Sequence, residues 1–479
     1  MSKTHYNVDV CIIGAGSGGL SVAAGAAQLG RSVVLFEAAD MGGDCLNHGC
    51  VPSKALIAAG KHAHALSAGE AFGVTAVEPT INFETVKAHV KGVIDHIAPV
   101  DSQERFEGFG CTVIREFASF KDKNTVVSKT TEVKAKRFVI ATGSRASAPP
   151  IPGLSETPYL TNEDIFSIPK QPKHLLIIGA GPIGLELGQA FNRMGTKVEI
   201  IDVAAPLGRS EPEHAEILVK ALEKEGIVFH TPVSTKLIRK TKTGVAIELE
   251  DGRTLKGSHL LVAAGRAPSV SGLNLEAADV KYSRRGIETD DCLRSSNPRV
   301  FVAGDAAAGK GGLTHAAGFH AGILIKSFYF LPPFLNRLLG KATTDRMPAA
   351  IYSEPELASI GLTEAQAREA GHEVKALHFE FDENDRAIAE RSDLGGVKIV
   401  ATKRGKILGA SIVGEGAGDL IQMISVAMTN KVKVSGLAQI IAPYPTRGEA
   451  VKRAASSMYT EAIFGDKAKA VAGFFTKFH

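Results

Sequence analysis

The chain has few cysteines, no long apolar run and no block of one charge, and each lack closes off a class of protein. Five cysteines in 479 residues are too sparse for the disulfide framework of a small secreted domain. No stretch reaches the roughly 18 apolar residues of a membrane span. No charged segment, apolar core and small-residue cleavage site precede the first strand-like run, "VDVCIIGAG", so no secretory leader is expected. The cytoplasm is therefore the expected compartment. The net charge of +4 comes without a Lys/Arg run and gives no support to nucleic-acid binding. What is present is ordinary: 44% hydrophobic and 22% charged residues. The length suits about two to four globular domains.

Two of the cysteines stand close together in "MGGDCLNHGCVPSKALI", residues 41–57. Cys45 and Cys50 enclose His48. A zinc site needs about four ligands, and this segment offers three. A structural disulfide would be unusual in a compartment that keeps thiols reduced. A redox-active pair is the sharper reading, and it requires an electron source. The Ala-rich run after Pro52 reads as a helix, with the proline tolerated in its first turn. Cys50 then lies near a helix N-terminus, where the dipole favours a thiolate. Cys11, Cys111 and Cys292 sit in apolar or strand-like surroundings and read as packing residues.

Two segments can hold the electron carriers. In "VDVCIIGAGSGGLSVAAGAAQLGRSVVLFE" a strand from residue 8 to 13 turns at Gly14, Gly16 and Gly19. An Ala-rich helix and a strand ending in Glu37 follow. In "HLLIIGAGPIGLELGQAFNRMGTKVEIID" the glycines are Gly179, Gly181 and Gly184, and the acid is Asp202. The acid stands at the same distance from the first glycine in both copies. Strand, glycine turn, helix, strand and acid form the dinucleotide-binding pattern. The glycines let the backbone approach a pyrophosphate, which the helix N-terminus attracts. Two cradles imply two dinucleotides. A flavin can pass a nicotinamide's hydride on to sulfur as an electron pair. An acid at position 202 binds a 2′-hydroxyl and repels a 2′-phosphate, favouring NAD over NADP. Arg209 stands close enough in sequence to soften that preference.

The segment "GGDCLNHGCVPSK" resembles the active-site signature of the pyridine nucleotide–disulfide oxidoreductases. "FVIATGS", "LVAAGRAPS", "VFVAGDAA" and "YSEPELASIGLTE" match further blocks of that family in order. The resemblance implies an α/β fold. Two Rossmann-like domains, for FAD and NAD, would be followed by an α+β C-terminal dimerisation domain. The FAD domain is expected over residues 1–155 and 278–346, the NAD domain over 156–277, and the interface domain over 347–479. "YLTNEDIFSIPKQPK" reads as the entry linker, and "FLPPFLNRLLGKATTDRMP" as a buried connector rather than a membrane contact. The resemblance makes Cys50 the sulfur nearest the flavin and Cys45 the outer one. It sets Lys54 beside the flavin, paired with Glu186. It assigns Thr142, Gly143, Gly265 and Asp305 to cofactor binding, the last on the ribityl chain. His48 stands where the family usually has an aliphatic residue. It either trades protons with Cys45 or faces solvent.

One departure bears on the substrate. Members that turn over dithiols carry a histidine–glutamate pair near the C-terminus, which reaches across a homodimer. Here "APYPTRGEAVKRAA" sets Tyr444 at the histidine position and keeps Glu449. Histidine, with a pKa of about 6.5, accepts a thiol proton at neutral pH, whereas tyrosine, near 10, does not. Oxidation of dihydrolipoamide is expected to be slow, and reduction of an acceptor by NADH to remain open. Tyrosine here also resembles the mercuric reductases, which fits a soft metal ion as acceptor. Their C-terminal cysteine pair is missing from "AGFFTKFH". Arg447 would either attract an anionic acceptor or line the surface. The expected partners are thus a second copy of the chain and a small disulfide, thiol or lipoyl substrate, or a soft metal ion. A mainly partner-binding subunit of a lipoyl assembly and a redox sensor are the other classes considered.

Overall fold

A computed structural model describes residues 3–332, 334–335 and 340–478. It contains two compact units, Met1–Ile201 with Val233–Thr344, and Asp202–Pro232 with Asp345–His479.

The first unit is built on β1 (Thr4–Ile13). Val10, Cys11 and Ile12 are fully buried. A strand covered on both faces reads as a continuous apolar run, as this one does. Parallel neighbours are β2 (Val33–Phe36) and β6 (Thr131–Ile140), with β3 (Cys111–Ile114) beyond β2. The antiparallel β5 (Thr125–Val127) and β4 (Ser119–Asp122) extend the far edge. The strand Val300–Val302 returns to pair in parallel with β6. Ala-rich α1 (Ser17–Gln28) crosses from β1 to β2, and alanine favours that helix. Then come α2 (Gly43–Asn47), α3 (Cys50–Ser67), α4 (Phe83–Ile97) and α5 (Gln103–Gly108). Asn82 and Ser102 cap α4 and α5, accepting from the N–H groups of Thr85 and Arg105. The short β7 (Ser144–Ala146) pairs with Arg266–Pro268.

The second cradle repeats the design within the same unit. Here β8 (His174–Ile178) runs parallel to β9 (Lys197–Ile201) and to the strand His259–Val262. Between β8 and β9 lies α6 (Pro182–Arg193), with proline in its first turn. An antiparallel sheet of Thr235–Thr241, Gly244–Leu249 and Thr254–Gly257 follows.

In the second unit the strands Pro348–Ile351, Glu356–Gly361, Ile407–Gly414, Gly396–Thr402 and Val374–Glu380 form one antiparallel sheet in that order. The helices Ala417–Thr429 and Glu449–Ser457 bury their apolar faces with it. The segment 202–232 joins this unit through α7 (Pro212–Lys224). Lys398, 4% exposed, is held 2.9 Å from Glu211 and 2.9 Å from Glu364. A buried charge of this kind is tolerated because it is paired.

The mixed α/β architecture agrees with the expected fold class. The "FLPPFL…" connector lies partly outside the described residues, and Phe330 at its start is exposed. Cys11, Cys111 and Cys292 are buried. Burial pushes all three thiols up, Cys111 to about 11, so none is a ready nucleophile. Among the described residues no helix is long and apolar enough to cross a membrane.

Candidate active site

The first cradle opens a cleft of about 860 Å³. Gly14 has φ +105°, and a side chain there would strike the Ala141 carbonyl. A side chain at Gly19 would strike the Gly14 carbonyl. Gly16 caps α1 without a side chain, so the first N–H groups of that helix face the turn. Glu37 closes β2, accepting from Ala15 N at 2.6 Å and Ala39 N at 2.7 Å.

The cysteine segment packs on this turn. Gly42 N donates to Ala15 O at 2.9 Å, and Gly43 has φ +60°. A Cβ on Gly43 would lie 2.7 Å from Gly16 Cα, so the two backbones meet where only glycine fits. The sulfurs are thereby held over the cradle, in the middle of α2 and at the start of α3.

Cys45 and Cys50 are both thiols here, and they are unequal. The hydrogen bond from Cys45 pulls Cys50 down to about 6. Burial opposes this, while Thr314 and the Lys54 charge assist it and the Asp44 charge works against it. Cys50 Sγ lies 3.3 Å from Thr314 Oγ1, at the start of α8 (Thr314–Tyr329). Cys45 is pushed up, first by the bond it gives to Cys50 and then by burial. One sulfur therefore carries the negative charge and the other keeps its proton.

Lys54 stands one turn along α3 and forms an ion pair with Glu186 of α6 at 2.8 Å. Gly60 permits this, since a Cβ there would lie 3.0 Å from the Ala190 carbonyl of α6. The second cradle thus reaches the sulfur helix through its own helix.

The cleft gathers Gly14, Gly16, Glu37, Cys45, Cys50, Lys54, Thr142, Gly143, Glu186 and Asp305. Thr142 Oγ1 donates to Ser269 O at 2.7 Å, and Gly143 has φ +66°. Asp305 accepts from Ser144 Oγ and from Gly312 N, each at 2.6 Å. His48 also lines the cleft, and its carbonyl accepts from Asn162 Nδ2 at 3.1 Å. Gly19 supports the turn from behind, and Gly265, with φ +145°, lies off the cleft lining. In the second cradle, side chains at Gly179 and Gly184 would strike the carbonyls of Ala263 and Gly179, while Gly181 has open space.

Three expected residues belong to the second unit. Asp202 accepts from Ala204 N at 2.9 Å. Tyr444 is exposed and donates to Asp385 Oδ2 at 2.7 Å, which raises the phenol pKa further. Glu449 opens the helix Glu449–Ser457. Arg447 does not reach out for an acceptor: it is gripped by Glu390, Ser392 and Glu415, the last at 2.7 Å. Sequence reasoning missed Thr314, Ser144, Asn162, Asp44 and Arg266. Asp44, Ser144 and Arg266 each stand beside a named residue in a family block, whereas Thr314 and Asn162 carried no such signal.

The family model "Pyridine nucleotide-disulphide oxidoreductase" matches residues 8–321, and the corresponding dimerisation-domain model matches residues 347–455. The chain belongs to the pyridine nucleotide-disulphide oxidoreductases, a family of flavin-dependent enzymes. It is 35% identical to a mercuric reductase of Streptomyces lividans, over 96% of this chain and 98% of that protein. It is also 34% identical to a dihydrolipoyl dehydrogenase of Thermus scotoductus, over 95% and 98%. Among solved structures, the HOCl-induced flavoprotein disulfide reductase RclA from Escherichia coli shares the fold, with a TM-score of 0.81 and 24% identity over 94% and 99%. The relatives thus include enzymes named for two different substrates.

Proposed function

We propose that the chain takes electrons from NADH through FAD and delivers them by way of Cys50 and Cys45 to a disulfide or other acceptor. The inequality of the two sulfurs is the observation that carries this reading. The residues present fit the flavin. The glycine turn leaves room that any side chain would fill, and Glu37 ends β2 where a ribose hydroxyl would bind. Bound FAD would accept a hydride equivalent from NADH and pass the electron pair to sulfur. Lys54 would hold a positive charge beside the flavin, kept in position by Glu186. Thr142, Gly143 and Asp305 would complete the flavin site. Gly179, Gly181, Gly184 and Gly265 would serve the nicotinamide dinucleotide. Asp202 favours NADH over NADPH there.

Both sulfurs line the cleft, Cys50 being the more exposed; in the reduced pair Cys50 would be the flavin-side thiolate and the Cys45 thiol the exchanging group. An incoming disulfide would be cleaved by Cys45. The mixed disulfide would then be released as Cys50 attacks Cys45, giving two product thiols and restoring the Cys45–Cys50 bond. Two electrons enter from NADH and two leave in the product. Tyr444 and Glu449 would act from the partner copy of a homodimer. The phenol donates a hydrogen bond but is a poor proton acceptor at neutral pH, which favours reduction over dithiol oxidation. A second reading, a soft metal ion as acceptor, draws on that same tyrosine and on the relatives named as mercuric reductases.

Anaerobic NADH should produce a long-wavelength thiolate-to-flavin band. Cys50→Ser should abolish it and Cys45→Ser should keep it; the reverse pattern would overturn the roles. Rates of NADH oxidation by lipoamide, by mercuric ion with excess thiol and by quinone would rank the acceptors. Tyr444→His should raise dithiol oxidation several-fold if the missing base limits it, and unchanged turnover would remove Tyr444 from that role.

A further inference from the structure

Asp44 immediately precedes Cys45, and three parts of the chain converge on it. Arg266 Nη2 lies 3.2 Å from its Oδ2, and Asn162 Nδ2 donates to its Oδ1 at 3.1 Å. The same Asn162 amide donates to the His48 carbonyl at 3.1 Å, so it ties the residue before Cys45 to the peptide between the cysteines. Asn162 is buried. Behind Asp44, Arg266 donates to Ser144 Oγ and Ser144 O, each at 2.8 Å. Ser144 passes the chain to Asp305, and Asp305 to the Gly312 N–H. Two residues on, Thr314 touches Cys50 Sγ. Hydrogen bonds as far as Gly312, and the chain from there to Thr314, therefore link the Cys45 segment to Cys50 around one side of the cleft.

We propose that Asp44 is a positioning residue: clamped by Arg266 and Asn162, it fixes the segment that carries Cys45 and, by its charge, sets how much negative charge rests on Cys50. The groups facing Cys50 are Cys45 and Asp44 from its own segment, Lys54 from α3 with Glu186 of α6 behind it, and Thr314 from α8. Of these, Asp44 opposes the thiolate and Lys54 supports it. Arg266 neutralises Asp44, so it supports the thiolate at second hand. A carboxylate beside a redox thiol would be a liability if left unpaired, and the pairing makes it an adjustable one.

This inference rests on the proposed reading of Cys50 as the flavin-facing thiolate. The test is the pH midpoint of the long-wavelength band in the NADH-reduced holoenzyme. The pH midpoint of iodoacetamide alkylation at Cys50, localised by fragment mass spectrometry, is read beside it. Asp44→Asn keeps the shape and one of the two acceptor oxygens while removing the charge, and it should lower both midpoints by about half a pH unit. Arg266→Gln should raise them by a similar shift. In the Asp44→Asn background, Arg266→Gln should leave the midpoint where Asp44→Asn put it, because Arg266 acts through Asp44. A packing role alone would change flavin content or melting temperature and leave the midpoints in place. Unmoved or upward midpoints in Asp44→Asn overturn the proposal. A wild type that binds no flavin would defeat the functional reading instead, while the alkylation profile would still decide the role of Asp44.

Discussion

The two glycine cradles are nearly superimposable in sequence, yet their middle glycines have different surroundings. In both, side chains at the first and third glycines would strike backbone carbonyls. The middle glycine separates them. Gly16 lies under Gly43, so the first turn is roofed by the cysteine segment, while Gly181 faces open space. If the first cradle holds the flavin and the second the nicotinamide dinucleotide, as proposed, the roofed turn would retain its ligand and the open one would exchange it.

The strongest test of this contrast is Gly16→Ala against Gly181→Ala, the two middle glycines. The first should lose flavin altogether, read as absorbance per chain. The second should keep flavin and raise the KM for NADH, because its methyl intrudes only on the exchangeable ligand; loss of flavin from both would erase the distinction. Next, Lys54→Met should slow NADH-driven reduction of the cysteine pair by about a hundredfold in stopped flow, with flavin retained. Glu186→Gln should act in the same direction but less, since it leaves Lys54 charged and merely unmoored. Gly43→Ala should lower stability by about 1–3 kcal/mol, seen in chemical denaturation. It should also weaken flavin retention, whereas a neutral result would mean that the roof is loose. The smallest effect concerns protons. Cys50 should alkylate with a midpoint near pH 6, its thiolate being favoured above that value, and Cys45→Ala should move the midpoint upward by removing the Cys45 donor.

Much of this was legible in the chain. The cradles could be read because their residues are consecutive and their spacing is enforced by a strand, a turn and a helix. Cys45, Cys50 and Lys54 share one segment, and the resemblance supplied Glu186 as the partner of Lys54. The clamp on Asp44 could not be read. Asn162 sits in a segment that looks like a linker, and Arg266 follows about a hundred residues later. Only the return of the chain to β7 sets them side by side. Thr314 was hidden for the same reason, being an unremarked helix start until α8 comes to rest against Cys50. Arg447 illustrates the converse, a charge that looked available and is consumed by neighbours on other loops.

Gly60 has no chemistry of its own, yet it sets the spacing between the sulfur helix and the nucleotide helix. A methyl group there would press on the Ala190 carbonyl and push the two helices apart by a few tenths of an ångström, straining the Lys54–Glu186 pair. In the proposed reading, the positioning of Lys54 beside the flavin would then depend on a hydrogen atom. A variant bearing any larger side chain at that position should look folded and coloured yet conduct poorly.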